Sequence, residues 1–165
     1  MNTGQSLLSI GALFLLSLTV LRVNNSILLT DSVMQDSKFG ILATSLATSL
    51  IEKASKKAFD ANTYSNSVSA LNELTSAGGL GPGSGETAPD SCNDFDDFNG
   101  YTDSVTTLPS ANFYLEAKVC YVNPNTPDVK LNTQSWHKKM TVIVASTSSQ
   151  DTIRLSTIYS YWHFR

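Results

Sequence analysis

The chain has 165 residues, of which 41% are apolar and 15% charged, and its formal net charge is −3. That length holds one domain of ordinary size plus an extension, not two independent cores. No basic stripe is available to neutralise phosphates, which argues against a nucleic-acid partner; Lys53, Lys56 and Lys57 cluster where cations complement a helix C-terminus.

Residues 1–6 (MNTGQS) carry no Lys or Arg, and the apolar run 7–21 (LLSIGALFLLSLTVL) follows at once. A secretory signal opens on a basic segment and closes on a small-residue cleavage site, and this run has neither. The numbering is therefore expected to be that of a mature chain whose basic leader has been removed. Positive charge normally holds the cytoplasmic flank of such a segment, and Arg22 lies on the other one. The run is short against the about 20 residues of a bilayer span. Ser9, Gly11, Ser17 and Thr19 interrupt it, and such positions suit close helix-to-helix packing, with hydroxyls bonding back to the preceding turn. An ordinary single-pass anchor is the plainer alternative.

No proline occurs before Pro82. A helix is expected to run on through Ile27, Leu28, Val33 and Met34 to Phe59, roughly 60 residues and about 90 Å. Gly11 and Gly40 are the expected points of bending or local melting. Leu42, Leu46, Leu50, Ala54 and Phe59 recur at helical spacing, flanked by Ile41 and Ile51, and mark a face for covering a small sheet. The chain thus divides into 1–30, an apolar helix serving as membrane anchor or filament core, and 31–165, a globular head.

Beyond the helix, residues 62–72 are polar and 78–85 (GGLGPGSG) read as a surface connection. A phosphate cradle is ruled out, since no GxxxxGKS/T follows a strand. In 90–101 (DSCNDFDDFNGY), Asp94, Asp96, Asp97 and Asn99 faintly match a calcium loop, but Asp97 breaks the ligand alternation and no bidentate Glu closes it. The expectation is that the acids are solvated or cap turns, that Phe95, Phe98 and Tyr101 pin the loop onto the helix, and that Asn99 and Gly100 make the turn. Cys92 and Cys120 are too few and too far apart for a zinc site. In an exported domain they are expected to pair as one disulfide, contributing about 3 to 4 kcal/mol by loop entropy; two free thiols are the alternative.

Three strand patterns close the chain, at 113–122, 136–146 and 152–162. Pro124 and Pro127 mark 123–133 as a loop, and 146–151 reads as a hairpin turn. The fold class is α+β: a long N-terminal α-helix, apolar in its first half, packed on a small antiparallel β-sheet.

A chain that opens on a few polar residues, passes through an apolar helix into an amphipathic one and ends in a small antiparallel sheet resembles the type IV pilins and pseudopilins. Residues 94–101 (DFDDFNGY), 138–145 (KKMTVIVA) and 152–157 (TIRLST) are similar to the closing pattern of minor-pilin-like members. The resemblance covers nearly the full chain. It implies a structural subunit of an extracellular pilus or fimbrium, with cell adhesion among the roles of such filaments. Such a subunit sits in the inner membrane before assembly and then polymerises with copies of itself. Leu7, Leu8, Ile10, Leu13, Phe14, Leu16, Leu18 and Leu21 would form the filament core, and Met1 with position 5 the N-terminal contact. The family's usual Glu at position 5 is Gln5 here, an amide that accepts a hydrogen bond without charge assistance. Met1 and Arg22 stand where the family often has Phe and a helix-loosening proline. A minor pseudopilin of a secretion machine and a monomeric membrane-anchored binding protein are the alternatives. No catalytic residue, cofactor or metal is expected: no GxSxG or HExxH spacing occurs, and His137 and His163 lie apart, in a strand pattern and in the aromatic tail 159–165 (YSYWHFR).

Overall fold

With no proline to remove a backbone donor, the chain stays helical from near its start, and α1 (Thr3–Ser55) is one continuous α-helix in the computed structural model. The structure describes residues 2–86, 88–109, 111–148 and 151–161. Met1, Trp162 and His163 lie outside them. The helix runs unbroken through Gly11 and Gly40, contrary to the expected weak points. One glycine costs only about 1 kcal/mol relative to alanine, too little to melt a helix continued on both sides.

The helix also stops short of Phe59, and the reason is tertiary. After Ser55 the last turn tightens, with Lys56 N–H donating to the Lys53 carbonyl (3.3 Å) and Lys57 N–H to the Ala54 carbonyl (3.1 Å). Ala58 then leaves the helix to form a parallel bridge with Asp94. Its N–H reaches the Asn93 carbonyl at 3.3 Å and its carbonyl accepts from Phe95 N–H at 2.8 Å. This exchange carries Phe59 and Asp60, both buried, to the base of the sheet.

The chain forms two compact units, Met1–Lys38 and Phe39–Arg165. Residues 31–38, grouped with the head from sequence, fall in the first unit: they expose their side chains, and Phe39 is the first in the helix to join the core. In the second unit, β1 (Thr102–Val105), β2 (Phe113–Asn123), β3 (Thr126–Lys130), β4 (His137–Ser146) and β5 (Thr152–Ser160) form an antiparallel sheet in the order β1-β2-β4-β5, with β3 paired to β2. Two of these strands escape the sequence patterns. β1 is polar and mostly exposed, so it shows no alternation. β3 contains Pro127, which an edge strand tolerates because one side of its backbone needs no ladder bond.

Strict alternation along β2 and β4 sets the core. Leu115 faces Val144, Ala117 faces Val142 and Val119 faces Met140 across the strand pair, and all six are buried. The helix meets this face along Ala43, Ala47, Leu50 and Ala54, with Leu42, Leu46 and Ile51 packed at its sides and Ile41 exposed. The alanines let helix and sheet approach closely. A second cluster gathers Phe59, Val68, Leu74, Leu80 and Tyr121, so the polar stretch after the helix supplies core residues as well as surface. Because Ala47 is fully buried against the sheet, Ala47→Leu is expected to overpack and destabilise this unit by about 1–3 kcal/mol, read as a lower denaturant midpoint.

Candidate assembly surface and buried ionic cluster

Between Thr3 and Leu21 no charged residue occurs, and the side chains chosen from sequence as filament core are all exposed. Leu7, Leu8, Ile10, Leu13, Phe14, Leu16, Leu18 and Leu21 range from 42% exposed at Leu18 to 76% at Leu8. Leu15, Val20, Val23, Ile27, Leu28 and Leu29 extend the same surface. Four consecutive residues, Leu13, Phe14, Leu15 and Leu16, are each at least 60% exposed. Successive residues sit about 100° apart around a helix, so this surface is apolar on every side, not along one stripe. Read over the continuous helix, the stretch is long and apolar enough to cross a membrane.

Several hydroxyls of this helix bond back to the preceding turn. Ser9 donates to the Gln5 carbonyl at 3.0 Å, Thr19 to Leu15 at 2.8 Å, Thr30 to Ser26 at 2.9 Å and Ser37 to Val33 at 2.8 Å. Gln5 donates its backbone N–H to the Asn2 carbonyl at 2.9 Å. Its expected partner in the N-terminal contact, Met1, is outside the described residues.

The second unit holds a group of charges that sequence reading missed. Continuing the inward row Val144, Val142, Met140 places Lys138 on the core face of β4, where it is fully buried opposite Tyr121. Its ammonium donates to the Phe59 carbonyl (2.8 Å), to Asp60 Oδ2 (2.8 Å) and to Asp96 Oδ1. The Phe59 and Tyr121 rings flank it, with centroids 4.5 and 5.3 Å from Nζ.

The acids of the 94–97 segment are buried rather than solvated, which corrects half of the expectation for this loop. The other half holds: they cap turns. Asp94 Oδ1 accepts from the N–H groups of Asp96 (2.8 Å) and Asp97 (3.2 Å), and Asp97 Oδ2 from those of Asn93 (2.8 Å) and Asp94 (3.1 Å). Phe95 and Phe98 enter the core. Gly100 makes the turn at φ +81°, while Asn99 ties the loop down, donating to the Leu80 carbonyl (2.9 Å) and accepting from Val119 N–H (3.0 Å).

The carboxyls differ in their protonation. Burial works to raise Asp60, but Lys138 and the N–H groups of Asn62 and Thr75 outweigh it and hold the carboxyl below its usual range. Burial, with Asp96 close by, pushes Asp94 up to about 8, and the two carboxyls share a proton between them. Asp96 is itself raised by burial, against the pull of Lys138. Among the described residues no group of three or more His, Cys, Asp or Glu is arranged to hold a metal ion.

The expected Cys92–Cys120 disulfide is not formed. Both are free thiols: Cys92 is buried in the core with its thiol 3.2 Å from the Ala88 carbonyl oxygen. Cys120 occupies the opposite face of β2, alternating with the inward residues Val119 and Tyr121. Burial raises both thiols above their ordinary range. His137 Nδ1 lies 2.7 Å from Ser160 Oγ, in a pairing between β4 and β5. Comparison of the chain with known protein families, with characterised proteins and with solved structures finds no match.

Two outcomes test this description. Alkylation of the denatured chain without reductant is expected to label both cysteines, as read by mass spectrometry. The pH dependence has a definite sign. Because Asp94 titrates higher in the folded protein than the about 3.9 of an unfolded Asp, the folded state keeps a proton that the unfolded state has lost, and stability falls as pH rises from about 4 to about 8. Asp60, held low, acts oppositely, its contribution fading below about pH 4. Asp94→Asn, which keeps the neutral hydrogen-bonding form, is expected to flatten the decline in melting temperature between those pH values.

Proposed function

We propose that this chain is a structural subunit of a type IV pilus-like filament, held in a membrane by its N-terminal helix before assembly and displayed outside the cell afterwards. The observation that carries the reading is the run Leu13 to Leu16, exposed on every side of a charge-free helix. A two-stranded coil would require one apolar seam. Lipid on all sides, or several neighbouring helices, would cover such a surface completely, and these are the two successive environments of a filament subunit.

In a bilayer the helix needs no partner for its backbone, which is bonded internally, and Ser9 and Thr19 donate to its own carbonyls. In a filament, copies of the same helix replace the lipid, and close packing rather than water exclusion supplies the difference. Heterologous contacts between copies that do not close would then extend without limit. Gln5 would accept a hydrogen bond from the amine of a neighbouring copy, weaker than a carboxylate would. The head has no catalytic task in this reading.

A carboxylate at the centre of such a helix costs about 3 kcal/mol to bury. Leu13→Asp and Leu16→Asp are therefore expected to abolish filaments in material sheared from cells, as seen by electron microscopy, while melting of residues 39–165 is unchanged. Normal filaments from either variant would refute the proposal. A wild-type chain that stays monomeric in the membrane fraction would make it an anchored protein that does not polymerise.

A further inference from the structure

The cluster around Lys138 holds what condensing an amine with a carboxyl requires: a nucleophile, an acyl carbon and groups to move protons, in a site closed to water. We propose that Lys138 and Asp96 join as an intramolecular amide, with Asp60 and Asp94 handling the protons, so that a covalent link ties β4 to the segment 94–98. Lys138 is fully buried and Asp60, Asp94 and Asp96 nearly so. The Lys138 ammonium touches both Asp60 Oδ2, at 2.8 Å, and Asp96 Oδ1. The reading is independent of the filament proposal, since it concerns only the second unit.

The assignment of Asp96 as acyl donor follows from what holds each acid. Asp60 accepts from Thr75 N–H at 3.1 and 3.2 Å, Thr75 Oγ1 at 3.0 Å and Asn62 N–H at 3.2 Å. Those donors stabilise it as a carboxylate, a poor electrophile and a good proton acceptor. Asp96 instead lies against Asp94, whose Oδ1 accepts from the Asp96 N–H at 2.8 Å, and the proton the two buried carboxyls share makes the Asp96 carboxyl carbon open to attack.

The steps balance without a co-reactant. Asp60 takes one proton from the Lys138 ammonium and frees its lone pair, and Asp94 passes its proton to Asp96. Lys138 Nζ attacks Asp96 Cγ and the C–N bond forms. Nitrogen gives a second proton to Asp94, restoring its acid. The Cγ–OH bond then breaks, its oxygen leaving as water with the proton held on Asp60. Ammonium plus carboxylate becomes amide plus water, and Asp60 and Asp94 end as they began.

In bulk water the separated ions are favoured. Here both charges are desolvated, so the reaction exchanges the buried Lys138–Asp96 ion pair for a neutral amide, while the Asp60 carboxylate keeps its bonds from Asn62 and Thr75. Fixed proximity supplies effective concentrations of about 10⁵–10⁸ M. The flanking Phe59 and Tyr121 rings help keep water away from the nitrogen.

The test is the mass of the purified full-length chain after denaturation, followed by proteolysis and sequencing of the Lys138 peptide. The expected result is a loss of one water, with a branched peptide joining Lys138 to Asp96. Asp96→Asn should give the same branched product with loss of ammonia instead, and Asp94→Ala should slow linkage by about a hundredfold or more. Lys138→Met should keep its full mass. A wild-type chain of full mass with Lys138 in a linear peptide would overturn the proposal, whatever the variants do. So would a lost water located in a linear peptide as a cyclised aspartate, or a link from Lys138 to Asp60.

Discussion

The ammonium of Lys138 fixes the geometry of the second unit. It sits on β4, yet its partners come from three other places: the segment just past the helix (Phe59 and Asp60), the 94–98 turn (Asp96) and β2 (Tyr121). Two of these three are irregular chain with no ladder of their own to hold them. A buried ion pair adds little net stability over apolar packing of the same volume, but one left half-made is costly. Any arrangement that moved Asp60 or Asp96 away would strand a charge in the core. The cluster therefore ties the irregular segments together, alongside the Ala58–Asp94 bridge that follows the end of the helix at Ser55.

The two units solve opposite problems. In the second, small residues on the helix and strict alternation on β2 and β4 let a thin layer of side chains exclude water, and the strand register brings the large residues face to face. In the first, the leucines of the same helix are exposed, and Ser9, Thr19 and Thr30 turn their hydroxyls back on its own carbonyls. A protein can keep such a surface only in lipid or against other apolar helices, and the proposed filament provides each in turn.

Much of this was legible in the residues. The lack of early proline foretold the long helix, and alternation foretold β2, β4 and β5. The run 7–21 announced an apolar surface that the structure leaves exposed. What stayed hidden depended on long-range partners. β1 and β3 exist because β2 offers them an edge, which no local pattern encodes. The disulfide expectation failed because cysteine counting ignores which face of a strand a thiol occupies; the alternation through Val119 and Tyr121 already placed Cys120 outward. Lys138 was within reach by the same reasoning. Extending the inward parity of Val144, Val142 and Met140 by two residues lands on a lysine, and an inward lysine in an acid-rich domain demands a carboxylate partner.

The back-bonded hydroxyls of the first unit bear on how finely a neighbour can be located along this helix. A proton donated to one's own carbonyl is not offered outward, so over residues 7–16 an adjacent surface meets methyls, rings and a notch at Gly11. Gln5 and the charges Arg22, Asp31, Asp36 and Lys38 distinguish one axial position from another. In the proposed filament the apolar stretch would set how strongly this unit is held, and its polar and charged positions would set where.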